Sequence, residues 1–175
     1  MTTKRLLMIA IAISITFVQE QMLLFLPNIQ FTVLLVFVFV SIFTFKESLI
    51  YIIGYVLLDN LYLGGFNLFY MLPMFFAWGC IPLIYHTLLS KTRNEKKLAF
   101  VALIFGFVYG WMFIPARMIQ TGIDEFWPYL IADLPFEIIM SVTGFVTVYW
   151  FYPNLLRVLE SILSTQYLSA EKAYK

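Results

Sequence analysis

Six apolar stretches follow one another along this chain with little between them, at about 6–26, 29–45, 48–63, 68–89, 98–119 and 126–151. A helix needs about 20 apolar residues to cross the hydrocarbon core of a bilayer. The spacing therefore predicts an all-α, polytopic membrane protein with six transmembrane helices in one domain, and leaves no stretch for a separate extramembrane domain. Composition agrees, with 62% of the 175 residues hydrophobic and 12% charged. Soluble domains sit near 45–50% and about 25%. Too few polar side chains remain to cover a water-soluble globule.

Several classes fall away on the same figures. A net charge of +1 supplies no basic stripe for nucleic acid. One cysteine, Cys80, inside an apolar run, excludes a disulfide scaffold. Lys4 and Arg5 before the first stretch resemble the start of a signal peptide. No small-residue cleavage site follows, only Gln19, Glu20 and Gln21, so an uncleaved helix is expected.

Orientation follows from the basic residues. Of the 11 Lys and Arg, Arg117 alone falls on one side of the six predicted spans. Lys4, Arg5, Lys46, Lys91, Arg93, Lys96, Lys97, Arg157, Lys172 and Lys175 fall on the other. The positive-inside rule makes that second side cytoplasmic and puts both termini there. Pro153 is expected to interrupt the sixth helix. Beyond it, the tail 154–175 spaces Leu155, Leu156, Leu159, Ile162 and Leu163 opposite Arg157, Glu160 and Ser161. This is an amphipathic helix that lies on membrane lipid or docks to a partner.

The intramembrane polar residues gather in the outer half. Glu20 ends the first span, Asp59 and Asn60 the third, and Asn67 follows in the loop. Arg117 closes the fifth span, and Asp133 and Glu137 open the sixth. At the bilayer centre such groups cost about 2.5–3.5 kcal/mol each on insertion scales, so they should face one another or a watered cavity. Asp133 and Glu137, four apart, share a helical face, and Arg117 is the obvious cation between them. Pro135 leaves two readings: a kink in a helix from near Phe126, or a helix capped by Asp133 after an outer loop over 122–132, the latter slightly favoured. Glu20 and Arg117 serve equally as interface residues. Trp78 and Trp111 can stack on a flat ligand or simply pack.

Catalytic signatures are missing. The chain has no Gly-x-x-x-x-Gly-Lys loop, no His-Glu-x-x-His and no Gly-x-Ser-x-Gly, and its sole histidine is His86. The expectation is a binding protein that is not an enzyme, without metal or cofactor.

Four segments carry a resemblance across the whole chain: Leu26-Pro27-Asn28-Ile29-Gln30; Leu57-Leu58-Asp59-Asn60; Ala132-Asp133-Leu134-Pro135-Phe136-Glu137-Ile138-Ile139; and Tyr152-Pro153-Asn154-Leu155-Leu156. With them the chain resembles the substrate-binding S components of energy-coupling factor (ECF) transporters, six-helix proteins of the bacterial plasma membrane. The resemblance implies capture of a vitamin or related micronutrient in an outer pocket. It also implies partnership with a transmembrane coupling protein and two cytoplasmic ATPases, and toppling of the S component to carry its ligand inward. In that family an Ala-x-x-x-Ala stripe on the first helix meets the coupling protein; here Ala10-x-x-x-Ser14 and Ala12-x-x-x-Thr16 stand in its place. Nickel and cobalt members begin Met-His, whereas this chain begins Met1-Thr2-Thr3, so a metal cargo is not expected. Aromatic, carboxylate and amide residues together suit a flat polar heterocycle, a vitamin or nucleobase-like precursor. The alternative is that the stretch from the second span to Gly65 looks like MreD-type six-helix scaffold subunits of the rod-shape machinery, in which the polar residues would be structural.

Overall fold

The helices begin where the sequence supplies caps. In the computed structural model, which describes residues 2–89, 91–122 and 126–173 with the side chains of 165–173 excepted, α1 (Thr3–Met22) starts from Thr2, whose hydroxyl accepts from the Arg5 amide. Thr44 and Glu47 form a reciprocal capping box that opens α3 (Phe45–Tyr62). Asn67 caps α4 (Leu68–His86) through the Phe69 amide at 3.0 Å. Asn94 caps α5 (Glu95–Thr121) through the amides of Lys96 and Lys97. Gly122, in the left-handed region at φ 67°, ends α5. The short α2 (Thr32–Ile42) and the long α6 (Phe126–Ala173) complete an all-α chain, with no strand among the described residues.

Among the described residues, four helical segments are long and apolar enough to cross a membrane: Thr3–Met22, Leu68–His86, Glu95–Thr121 and Phe126–Ser164. This is a helical membrane protein by length and composition. The other two helices depart from the expected spans. At 11 residues, α2 rises about 16 Å, about half the hydrocarbon core. It replaces the expected 29–45 because the turn after α1 runs on to Phe31 and because Phe45, Lys46 and Glu47 belong to the first turn of α3. α3 has 18 residues but carries Lys46, Glu47 and Asp59.

Two further expectations are corrected at α6. Asp133 is not an N-cap, because the helix starts at Phe126 and passes through both Asp133 and Pro135. Nor does Pro153 interrupt it, so the sixth span and the amphipathic tail are one 48-residue helix, about 70 Å along its axis. Proline removes one helical donor, and packing by neighbouring helices lets a membrane helix absorb that loss. Tyr152 and Leu156 are buried, Leu159 packs on the core, and Arg93 pairs with Glu160 at 2.6 Å. The first turns of the tail therefore dock onto the chain's own bundle.

α2 lies at the centre, with Val33, Leu34, Val36, Phe37, Val38, Phe39 and Val40 all buried. Around it α3 packs on α1 and α4, α5 packs on α4, and α5 and α6 form the most extensive pair. That pair meets through small residues. A Cβ on Gly106 would run into the backbone of Ser141, and one on Gly110 would meet the Glu137 side chain. Gly144 in turn lies over Ala102. Absent side chains permit this close approach. At the end of the bundle where α1 begins, the Arg5 guanidinium bonds both carboxylate oxygens of Glu47 and the Ile42 carbonyl. That contact holds the Glu47 carboxyl down at about 2.

Candidate functional site

The opposite end of the bundle, where α1 ends, encloses a cavity of about 720 Å³. Glu20 of α1 and Asp59 and Asn60 of α3 form one wall, and Asn67 and Tyr70 lie at the start of α4. α5 contributes Gly106, Tyr109, Gly110, Phe113 and Arg117, while α6 contributes Asp133, Phe136, Glu137 and Met140. The loops close the rim. Gly64 and Gly65, at φ 120° and 110°, adopt a turn that L side chains rarely allow. Asn28, at φ 59°, donates to the Phe136 carbonyl at 3.2 Å and ties the α1–α2 turn to α6.

Several of the polar groups are held by their own neighbours. Tyr55 donates its hydroxyl to Glu20. Gln21 donates to Asp59 Oδ1 at 3.0 Å. Asn60 donates to the Val56 carbonyl at 2.8 Å and lies 3.4 Å from the Met74 sulfur. Trp111 donates to Glu137 Oε2 at 3.2 Å, and the buried Glu137 Oε1 has no hydrogen-bond partner among the described residues. Arg117 stands over the Tyr70 ring at 5.9 Å. Among the described residues it forms no ion pair with Asp133 or Glu137, so the expected cation between them is instead stacked on an aromatic face of the same cavity.

Of the expected binding residues, Glu20, Asp59, Asn60, Asn67, Arg117, Asp133 and Glu137 all line the cavity. The two tryptophans do not. Trp78 is wholly buried among Tyr55, Phe105 and Tyr109, with ring centroids 5.1–5.8 Å away, and supports the cavity wall from behind. Trp111 is 52% exposed on the outside of α5 and reaches the site only through its bond to Glu137. The two stripes of α1 also separate. Ala12 and Thr16 are fully buried, and Thr16 shares a 2.6 Å hydrogen bond with Tyr51, so neither is a surface a partner can reach. Ala10 and Ser14 are exposed, flanked by exposed Leu7, Ile11 and Ile15.

Sequence reasoning missed the aromatic lining: Tyr70, Tyr109, Phe113 and Phe136. The signal was available in spacing. Tyr109, Phe113 and Arg117 recur every four residues on α5, as do Gly106 and Gly110, and Asp133, Phe136, Glu137 and Met140 form an i, i+3, i+4, i+7 face on α6. No group of three or more His, Cys, Asp or Glu able to hold a metal ion occurs among the described residues. The fold and the cavity together define a helical membrane protein with a polar and aromatic pocket at one end. No protein-family model, curated protein or solved structure matches the chain.

Proposed function

We propose that this chain is the substrate-binding S component of an ECF-type importer in a bacterial plasma membrane, with six crossings and both termini in the cytoplasm. One observation carries the reading: polar residues from four helices and from the cap of a fifth, each costly in lipid, converge on a cavity of small-molecule size. The MreD-type scaffold reading gives that cavity no purpose. In this reading α2 makes its crossing as a short helix covered by protein, and its non-helical lead-in carries Pro27 and Asn28 along the cavity rim. The exposed Ala10 and Ser14 stripe is the face offered to a transmembrane coupling protein, which works with two ATPase subunits.

Co-expression with an ECF energy-coupling module, followed by purification on a tag carried by this chain, tests the proposal. Co-elution of the coupling protein and both ATPases is expected, and Ala10→Trp should abolish it. Purification of the chain alone, with the module present and folded, would overturn the assignment.

A further inference from the structure

The charges around the cavity do not balance. Four carboxylates line it, those of Glu20, Asp59, Asp133 and Glu137, against the single guanidinium of Arg117. They stand in two pairs: Glu20 and Asp59 on α1 and α3, and Asp133 and Glu137 one turn apart on α6. A carboxylate withdrawn from water is stable only when paired and hydrogen-bonded. Glu137 is the informative member, at 3% exposure. Its Oε2 accepts from Trp111, while its Oε1, packed against the bare backbone of Gly110 in the cavity wall, has no partner. As a carboxylate, the form a cation would hold, its Oε1 lacks a donor. Tyr70, Tyr109, Phe113 and Phe136 line the same cavity, and aromatic ring faces attract positive charge. The absence of any metal-holding group among the described residues turns the balance away from an inorganic ion.

We propose that the cavity takes an organic cation, with nitrogen donors for the carboxylate pairs and an apolar or flat body against the aromatic rings. A small turn of the Glu137 side chain away from Gly110 would present Oε1 to an N–H of the ligand. This rests on the S-component reading and narrows its substrate to a charge class.

The test is equilibrium binding to the detergent-purified full chain. Thiamine, spermidine and agmatine serve as cationic probes, riboflavin and pyridoxine as neutral ones, and biotin and pantothenate as anions. The expected result is saturable binding of a cationic probe. Affinity should fall by about tenfold or more in Glu137→Gln, as for loss of a charge-assisted hydrogen bond. It should fall in Asp59→Asn as well. Preference for a neutral or anionic probe would overturn the charge assignment while leaving the transport reading intact, because co-elution with the coupling module is measured independently. Binding of no probe would also overturn it. The probe preference of the unaltered chain needs no variant to fold, and rescue of binding in Glu137→Asp but not Glu137→Gln would separate charge from packing.

Discussion

Glu47 and Glu137 are both buried glutamates, and their surroundings could hardly differ more. Glu47 sits where α1 begins. Its Oε2 accepts from the Thr44 amide at 2.8 Å and the Thr44 hydroxyl at 3.0 Å, and Arg5 clasps both oxygens. Glu137, at the other end of the bundle, has one bond from Trp111 and one oxygen with none. A carboxylate whose lone pairs are spent on its own chain is a structural joint. One whose second oxygen is buried without a partner in a cavity wall is a polar group that the chain alone does not satisfy. The comparison separates a closed end that fixes how α1, α2 and α3 meet from an open end that the fold has left unfinished.

The largest expected effect removes the open end altogether. Gly106→Leu forces α5 off the Ser141 backbone and with it the recess that holds Glu137. Overpacking of this kind should cost about 3 kcal/mol, read as a large drop in thermal midpoint together with loss of ligand binding. On α1 the same contrast is drawn between neighbours. Ala12→Trp should destabilise the chain by about 2–3 kcal/mol because Ala12 is fully enclosed. Ala10→Trp, on the exposed face, should stay within about 0.5 kcal/mol of the parent, as measured by thermal unfolding in detergent.

The two glutamates give the sharper pair. Glu47→Ala removes a capping box and should lower stability by about 1–2 kcal/mol without changing ligand affinity. Glu137→Gln should do the reverse, leaving the midpoint nearly unchanged and weakening binding by about tenfold, or about 1.4 kcal/mol. Acid acts on the same Glu47 contact. Arg5 holds Glu47 near 2 against an ordinary 4.5, so its contribution is complete above pH 4.5 and fades as pH falls towards 2. A midpoint that dropped on raising the pH across that window would have the wrong sign.

Much of this architecture is written in the chain as lengths and charges. The apolar runs mark α1, α4, α5 and the first part of α6, because lipid demands them whatever they pack against. The cavity was legible for a related reason: Glu20, Asp59, Asn60, Arg117 and Glu137 are expensive in hydrocarbon and so had to converge. What stayed hidden depended on rotation and on local chemistry. α4 is apolar nearly all round, so the sequence gives no face on which to put Trp78, and tertiary packing turned it into the core. Thr44-x-x-Glu47 is a readable start signal, and taking the apolar run through Phe45 instead made α2 too long. Pro135 and Pro153 misled because a proline stops an isolated helix more surely than one held by neighbours.

The central claim is that the open end binds a small molecule on this chain alone. A thermal-shift measurement of the detergent-purified protein against the seven probes named above tests it most directly. A ligand that binds only the folded chain, present at 100 times its dissociation constant, adds about 2.7 kcal/mol of stability. The account predicts a shift of that order with a cationic probe, retained in Glu47→Gln and cut to about half at the same probe concentration in Glu137→Gln. A midpoint unmoved by every probe, or a shift as large in Glu137→Gln as in the parent, would contradict it.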